Sequence, residues 1–174
     1  MTESLHLAAI DTPVGALQSY VSDRGLCALE FPLPERAHRL ERRFLRWFDA
    51  TVHRGEAPLH AQVRSWLTRY FAGTFPSHDE LPLDLRGTQF EQSVWRALLR
   101  IETGHTTTYL ALARRLGGSA VARAVGGAVG QNPIGIIVPC HRVVGTNGSL
   151  TGFGGGLDRK AWLLRHERAL PGLF

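Results

Sequence analysis

The hydrophobic pattern of this chain changes near residue 88, and the change restricts the folds open to it. Before that point, residues 1–31 contain three short apolar or alternating runs separated by the turn sequences DTPVG and SDRG, a pattern typical of strands. Two stretches with apolar residues at helical spacing follow at 35–50 and 58–72. The segment 74–87 contains two prolines and scattered charges, which predicts a linker. We therefore expect an N-terminal domain at 1–85 with a small antiparallel sheet and helices.

The second half has the pattern of short helices. Thr88, followed three residues later by Glu91, forms a capping-box sequence. Tyr109–Leu116 predicts a helix that ends at two glycines, and Ser119 is a candidate cap for a second helix at 120–129. Two short helices joined by a tight glycine turn are typical of a helix-turn-helix, although any small helical bundle contains such pairs.

Charge is divided unevenly between the two halves. The formal net charge is +5. Residues 1–85 hold 9 Arg and 11 Asp or Glu, so 9 − 11 = −2, whereas residues 86–174 hold 10 Arg, 1 Lys and 4 Asp or Glu, so 11 − 4 = +7. A basic half indicates a polyanionic partner, with nucleic acid first. An arginine-rich proteome whose surplus charge is only solvated surface is the alternative.

The two cysteines, Cys27 and Cys140, give no disulfide framework. The N-terminal sequence lacks the basic start and long apolar core of a secretory signal, and no apolar run has the length of a membrane span. We expect a cytoplasmic protein with no membrane partner, in which Cys140 is a free thiol.

The stretch IIVPCHRVVG at 136–145 places a thiol and an imidazole at the end of an apolar run. A cysteine attacks as the thiolate, which an adjacent base can generate. Contact between Cys140 and His141 requires a turn at Pro139 or a bridging water, because neighbours in a strand point to opposite faces.

A base of this kind also needs an orienting carboxylate. Of the four acidic residues in the second half, Glu167 lies at the C-terminal end of a helix predicted at 158–168, where the helix dipole disfavours an anion. Such local conflicts are typical of functional residues. We predict a relay of Cys140, His141 and Glu167; the alternative for His141 alone is a hydrogen-bonded structural histidine.

The predicted second helix, SAVARAVGGAVGQ, has one charge, Arg123, among small residues. A helix that reads bases in the major groove needs several polar side chains on one face. Gly126, Gly127 and Ala128 instead allow the backbone to lie close to another surface. We expect either contact with DNA without sequence reading, as in the minor groove, or tight packing against a neighbouring helix.

The segment PCHRVV at 139–144 resembles the active-site signature of the O6-alkylguanine-DNA alkyltransferases. GFGGGL and WLLRHE after it, and ARAVGGAVGQNPIG before it, agree with that family, so the resemblance covers about 86–174. It implies an α/β (α+β) protein with a ribonuclease-H-like supporting domain at 1–85. It also implies a mostly helical, helix-turn-helix or winged-helix-like domain at 86–174 that binds DNA and accepts the alkyl group.

The implied activity is DNA repair by stoichiometric transfer of an alkyl group from O6-alkylguanine, and also O4-alkylthymine, in double-stranded DNA. The resemblance implies that Cys140 is the acceptor and is irreversibly alkylated, that His141 takes the thiol proton through a bound water, and that Glu167 lies behind it. It further implies that Asn132 braces the active-site turn and that Tyr109 supports protonation of the leaving guanine.

The family also implies which residues contact DNA and the damaged base. Arg123 matches the finger that fills the gap left by a flipped nucleotide, Val143 supplies a backbone carbonyl that faces the base, and the loop 150–156 forms the pocket. The expected DNA-binding and base-binding residues are Thr108, Arg123, Ala124, Gly126, Gly127, Val143, Leu150, Phe153, Gly154 and Gly155.

Departures from the family leave the range of lesions open. Gly154, Phe153 and Gly135 stand where some relatives carry serine, tyrosine and proline. Some relatives bind structural zinc, but Cys27 is the one cysteine of the first half and its histidines are scattered, so we expect no metal and no cofactor. We expect a monomer in solution; cooperative assembly on DNA is left open.

Two other functions remain as alternatives. The relay of Cys140, His141 and Glu167 would also serve a cysteine hydrolase or amidotransferase, which requires an oxyanion hole and repeated turnover. Alternatively, the second half is a DNA-binding module in which Cys140 is only a buried apolar residue.

Overall fold

A computed structural model describes residues 2–170. The chain forms two compact units, Met1–Arg86 and Gly87–Phe174. Within the described residues, no helix combines the length and the apolar character that crossing a bilayer requires.

The first unit is built on a four-stranded sheet. Its strands are β1 (Glu3–Ile10), β2 (Leu17–Val21), β3 (Leu26–Glu30) and β4 (Ala50–Arg54), in the order β3-β2-β1-β4. Two helices, α1 (Pro34–Trp47) and α2 (Pro58–Phe71), and a short 3-10 helix (His78–Glu80) complete the unit. The predicted helices at 35–50 and 58–72 are thus confirmed, with ends that differ by at most three residues.

The prediction of a purely antiparallel sheet needs one correction. The pairs β1–β2 and β2–β3 are antiparallel, as expected, but β4 pairs parallel to β1, so the sheet is mixed. The sequence of β4, ATVHR, carries little strand signal because its residues 51–54 are exposed. Pairing with β1, and not burial of its own side chains, makes this segment a strand.

The core of this unit lies between the sheet and α1. Leu40, Phe44 and Phe48 repeat at a spacing of four residues and pack with Leu5 of β1 in one buried cluster. Cys27 belongs to the same cluster and is 1% exposed. Burial raises the pKa of its thiol to about 12, so Cys27 is an inert core residue.

The linker predicted at 74–87 is wrong for its C-terminal part. The Leu26 N–H donates to the Pro82 carbonyl oxygen at 2.8 Å, and the Asp84 N–H donates to the Leu26 carbonyl oxygen at 2.8 Å. Arg86 forms an ion pair with Asp84. Pro82 is compatible with an extended segment at the edge of a sheet. The C-terminal part of the predicted linker therefore belongs to the first unit.

The second unit is mostly helical. Its elements are α3 (Gln89–Leu98), α4 (Tyr109–Leu116), α5 (Ala122–Gly130) and α6 (Leu157–His166), two short 3-10 helices (Ser119–Val121 and Cys140–Arg142), and the parallel two-residue strands β5 (Thr107–Thr108) and β6 (Val143–Val144). α3, α4 and α5 pack against one another. The Trp95 indole, fully buried on α3, donates to the Ala128 carbonyl oxygen of α5 at 2.9 Å.

The local signals predicted for these helices are mostly correct. The capping box of Thr88 and Glu91 is confirmed, with both of its hydrogen bonds formed. Gly118 has φ +99, so the turn between α4 and α5 requires glycine. The prediction of Ser119 as a cap is wrong, because this residue lies in the 3-10 helix and Val121 is the N-cap of α5.

Candidate active site

A pair of turns brings Cys140 out of the buried run that precedes it. Pro139 has φ −84 and ψ 64, and the Cys140 N–H donates to the Val138 carbonyl oxygen at 2.8 Å. This is an inverse γ-turn, and the 3-10 helix Cys140–Arg142 follows at once. Cys140 is consequently half-buried while the next residue, His141, is fully buried. The turn that the adjacent thiol and imidazole require is therefore present.

Asn132 holds the loop that leads to this turn. Its side-chain N–H donates to the Val138 carbonyl oxygen at 2.8 Å, and its side-chain oxygen accepts from the Ile134 N–H at 3.0 Å. Between these points Ile136 has φ +69, a strained conformation for a β-branched residue. The buried Asn132 amide therefore anchors both sides of a strained backbone segment just before Cys140.

His141 and Glu167 form a buried pair. The His141 Nε2 lies 2.8 Å from the Glu167 Oε1, and the two residues are 0% and 4% exposed. Because an ionised carboxylate only accepts hydrogen bonds, Nε2 carries the proton and the neutral ring presents a lone pair at Nδ1. Nδ1 is buried and finds no hydrogen-bond partner within residues 2–170.

The structure adds Arg142 to this pair, a residue that the sequence did not single out. Its Nε donates to the Glu167 Oε2 at 2.8 Å and its Nη2 donates to the Glu167 Oε1 at 2.9 Å. The same guanidinium donates to the Ile101 carbonyl oxygen and to the Thr103 hydroxyl. Arg142 is 8% exposed, so Arg142 and Glu167 form a buried, bidentate ion pair.

Burial favours a neutral His141, and its neighbours favour an ionised Glu167. Burial lowers the pKa of His141, Glu167 opposes this effect, and the positive charges of Arg142 and Lys160 lower the pKa further. Burial raises the pKa of Glu167, but its interactions with His141 and Arg142 outweigh this effect and hold the pKa well below its usual range. The ring can therefore accept a proton at neutral pH.

Lys160, on α6, is the second residue that the sequence did not single out. It is the one lysine in the chain and is 0% exposed. Its Nζ donates to the carbonyl oxygens of Val143 at 2.6 Å, Thr151 at 2.8 Å and Gly152 at 3.2 Å. Burial lowers its pKa to about 8. The compact ammonium satisfies three carbonyls at one point, which the planar guanidinium of arginine cannot do.

Tyr109 lies at the start of α4, beside the same loop. Its hydroxyl donates to the Thr151 carbonyl oxygen at 3.1 Å, and its ring centroid lies 5.9 Å from the Lys160 Nζ. Burial raises the pKa of Tyr109, and Cys140 adds to this effect. The phenol is therefore protonated at neutral pH and remains a hydrogen-bond donor.

The other residues predicted to contact the damaged base surround this group. Phe153 and Gly154 are half-buried, and Gly155 is buried, with its carbonyl oxygen accepting from Arg159 at 3.0 Å. Leu150 packs on a small core cluster that includes Leu164. The carbonyl oxygen of the buried Val143 accepts a hydrogen bond from Lys160.

The exposed residues of α5 are Arg123, Ala124, Gly127 and Gly130. A Cβ atom added at Gly127 would meet nothing within 4 Å, whereas one at Gly126 would contact the Tyr109 ring at 3.9 Å. Thr108, also predicted to bind DNA, uses its hydroxyl to cap α4, where it accepts from the Ala111 N–H at 3.0 Å. The exposed surface of α5 therefore consists of small residues and one long side chain, that of Arg123.

This chain is similar to known proteins in sequence and in fold. A family profile described as "6-O-methylguanine DNA methyltransferase, DNA binding domain" matches residues 89–169. The methylated-DNA–protein-cysteine methyltransferase of Mycobacterium bovis is 41% identical over 165 residues, which cover 95% of this chain and 93% of that protein. The chain belongs to the methylated-DNA–protein-cysteine methyltransferase family.

Other relatives agree with this assignment. The methyltransferase of Haemophilus influenzae is 48% identical over 113 residues, which span 65% of this chain and 63% of that relative. The solved structure of Mycobacterium tuberculosis OGT in complex with DNA superposes with a TM-score of 0.77 at 41% identity and covers 94% of this chain and 93% of the other.

The structure brings together most of the site residues predicted from the sequence. His141 and Glu167 are in contact, Asn132 holds the loop before Cys140, and Tyr109 faces the loop 150–156. The described residues contain no group of three or more potential metal-binding side chains. The expected absence of zinc and cofactors remains a prediction.

Replacement of Lys160 by methionine should loosen the loop 150–156. The three carbonyl oxygens that the ammonium binds would lose their donor, and we expect about tenfold faster amide hydrogen exchange in this loop, equivalent to about 1.4 kcal/mol of local stability. Mass spectrometry of proteolytic fragments measures this exchange. Arg165→Met, on the exposed side of the same helix, is the matched control. Equal exchange in the wild type and Lys160→Met would show that Lys160 does not hold the loop.

Proposed function

We propose that this protein repairs DNA by transferring the alkyl group of O6-alkylguanine in double-stranded DNA to its own Cys140, with O4-alkylthymine as a second substrate. The observation that carries the proposal is the half-buried thiol of Cys140, which directly precedes a buried imidazole. That imidazole is oriented by Glu167 and presents an unprotonated Nδ1. This combination can generate and use a thiolate.

The transfer is a displacement at the alkyl carbon. The thiol proton passes through a water molecule to the His141 Nδ1, and the Glu167 carboxylate stabilises the imidazolium that forms. The sulfur then attacks the alkyl carbon, so that a carbon–sulfur bond forms while the carbon–oxygen bond to the purine breaks. The bonding electron pair remains on O6, and the guanine takes up a proton as it leaves.

Tyr109 and the loop 150–156 would surround the extruded base. The Tyr109 hydroxyl now donates to the Thr151 carbonyl oxygen, and in the proposed complex it turns toward the leaving purine. The backbone carbonyl of Val143 would accept a hydrogen bond from the purine amino group, and Phe153 and Gly154 would line the pocket. Asn132 contributes by holding the active-site turn in place.

The product is permanent, and the protein acts once. A thioether is not cleaved by thiol exchange, and the chain has only one other cysteine. That residue, Cys27, is buried in the first unit with its pKa raised to about 12, so it cannot remove the alkyl group. We place this activity in the cytoplasm, where a reactive thiol stays reduced.

The exposed face of α5 would approach the minor groove. An alkylated O6 inside a duplex is reached only if its nucleotide is flipped out, at a cost of a few kcal/mol. Arg123 would fill the gap in the base stack. Ala124 and Gly127 let the backbone lie close to the sugars and phosphates of any sequence, and residues 86–174 carry the net charge of +7 counted above.

Stoichiometric labelling tests the proposed reaction. With a duplex that contains O6-methylguanine, we expect the Cys140 peptide to gain one methylene and repair to stop at one lesion per protein molecule, as measured by mass spectrometry. Cys140→Ala should bind DNA without transfer, and Cys27→Ser, the matched control, should react normally. Repair by one molecule of many lesions, or repair with an unmodified Cys140, would overturn the proposal and favour a hydrolytic enzyme.

Substitution of Gly127 by alanine separates DNA contact from folding. The added methyl group meets no protein atom, so the helix should gain about 0.5–1 kcal/mol of stability. In the DNA complex, however, the added methyl group would lie between α5 and the minor groove. It should therefore weaken duplex binding about tenfold, or about 1.4 kcal/mol. Binding is measured by fluorescence anisotropy. Reaction with the free base O6-benzylguanine is the control and should not change. Unaltered duplex affinity would place the DNA on another face.

A further inference from the structure

The carboxylate of Glu167 is shared between two partners. Its Oε1 accepts from the His141 Nε2 at 2.8 Å and from the Arg142 Nη2 at 2.9 Å, and its Oε2 accepts from the Arg142 Nε at 2.8 Å. The proposed reaction uses only the bond to His141. Arg142 supplies the other two of these three hydrogen bonds. The proposed reaction gives these two bonds no function.

A carboxylate paired with histidine alone would raise the pH below which the ring is already protonated before the reaction. An unshielded anion stabilises the imidazolium, and an imidazolium cannot accept the thiol proton. The charged and titratable groups that face His141 are Glu167, Arg142 and Lys160, with the thiol of Cys140 next to it in sequence. Burial is the main cause that lowers the pKa of His141, Glu167 raises this pKa, and the positive charges of Arg142 and Lys160 counteract Glu167.

Other contacts fix the guanidinium of Arg142 in this position. One Nη atom donates to the Ile101 carbonyl oxygen, and the other donates to the Thr103 hydroxyl at 3.1 Å. With Nε also bound to Glu167, every nitrogen of the group has a partner. Because the fork is rigid and always charged, Arg142 can hold the carboxylate at one place and compensate its charge at every pH relevant to the protein.

We propose that Arg142 is a positioning residue that sets the pH range of the transfer, because it holds and neutralises the Glu167 carboxylate and so keeps His141 able to accept a proton. This inference rests on the proposed function. It assigns Arg142 no contact with the substrate.

The pH dependence of the transfer rate tests this role. Removal of the positive charge in Arg142→Met should stabilise the protonated ring and raise the pKa of His141. We expect the acid limb of the rate profile to move upward by on the order of one pH unit, with much of the loss recovered at higher pH. The reaction with a duplex that contains O6-methylguanine is followed in single-turnover mode. Arg165→Met, which removes an exposed arginine of α6, should leave the limb in place.

A purely structural role gives a different result. If Arg142 only supports folding, the transfer rate of Arg142→Met should fall by the same factor at every pH. An acid limb that stays at the wild-type pH overturns the inference. If Arg142→Met does not fold, Arg142→Lys takes its place, because it keeps the positive charge but loses the planar fork of donors. We expect a smaller upward shift of the acid limb for this variant. The absence of any shift overturns the inference as well. Failure of the wild type to transfer would instead overturn the proposed function, and the inference with it.

Discussion

The site depends on the buried carboxylate of Glu167. This group lies at the C-terminal end of α6, where the helix carbonyls disfavour a negative charge, and burial also opposes its ionisation. Three hydrogen bonds from His141 and Arg142 offset both costs. Removing one partner from such a buried ionic cluster typically costs about 3–5 kcal/mol, because an uncompensated charge remains. Each partner of Glu167 therefore contributes to the stability of the whole cluster.

One helix connects this carboxylate to the proposed substrate pocket. Lys160 precedes Glu167 by seven residues, which is about two helical turns, so both side chains project from the same side of α6. Lys160 binds carbonyl oxygens of Val143 and of the loop 150–156, and Glu167 orients His141. Because both contacts originate from one rigid element, the pocket and the proton acceptor keep a fixed geometry relative to each other, as pre-organised catalysis requires.

The sequence predicted the parts of this site that short-range chemistry defines. Cys140 and His141 are adjacent, and only four acidic residues in the second half competed for the place of Glu167. Arg142 and Lys160 were missed because arginine and lysine are usually exposed, and only tertiary packing decides that these two are buried and bonded. Strand β4 was missed for a related reason, because its exposed sequence becomes a strand through pairing with β1. Patterns of burial could be predicted, but contacts made by polar groups across the fold could not.

The protonation state of His141 is the property that connects fold, electrostatics and chemistry. Nitrogen-15 NMR of histidine-labelled protein at neutral pH measures it directly, with His141→Gln to assign the signal. A neutral ring with the proton on Nε2 and an unprotonated Nδ1 is the result that this account predicts. An imidazolium, or a neutral ring with the proton on Nδ1, would contradict it, because the nitrogen that should take the thiol proton would already carry one.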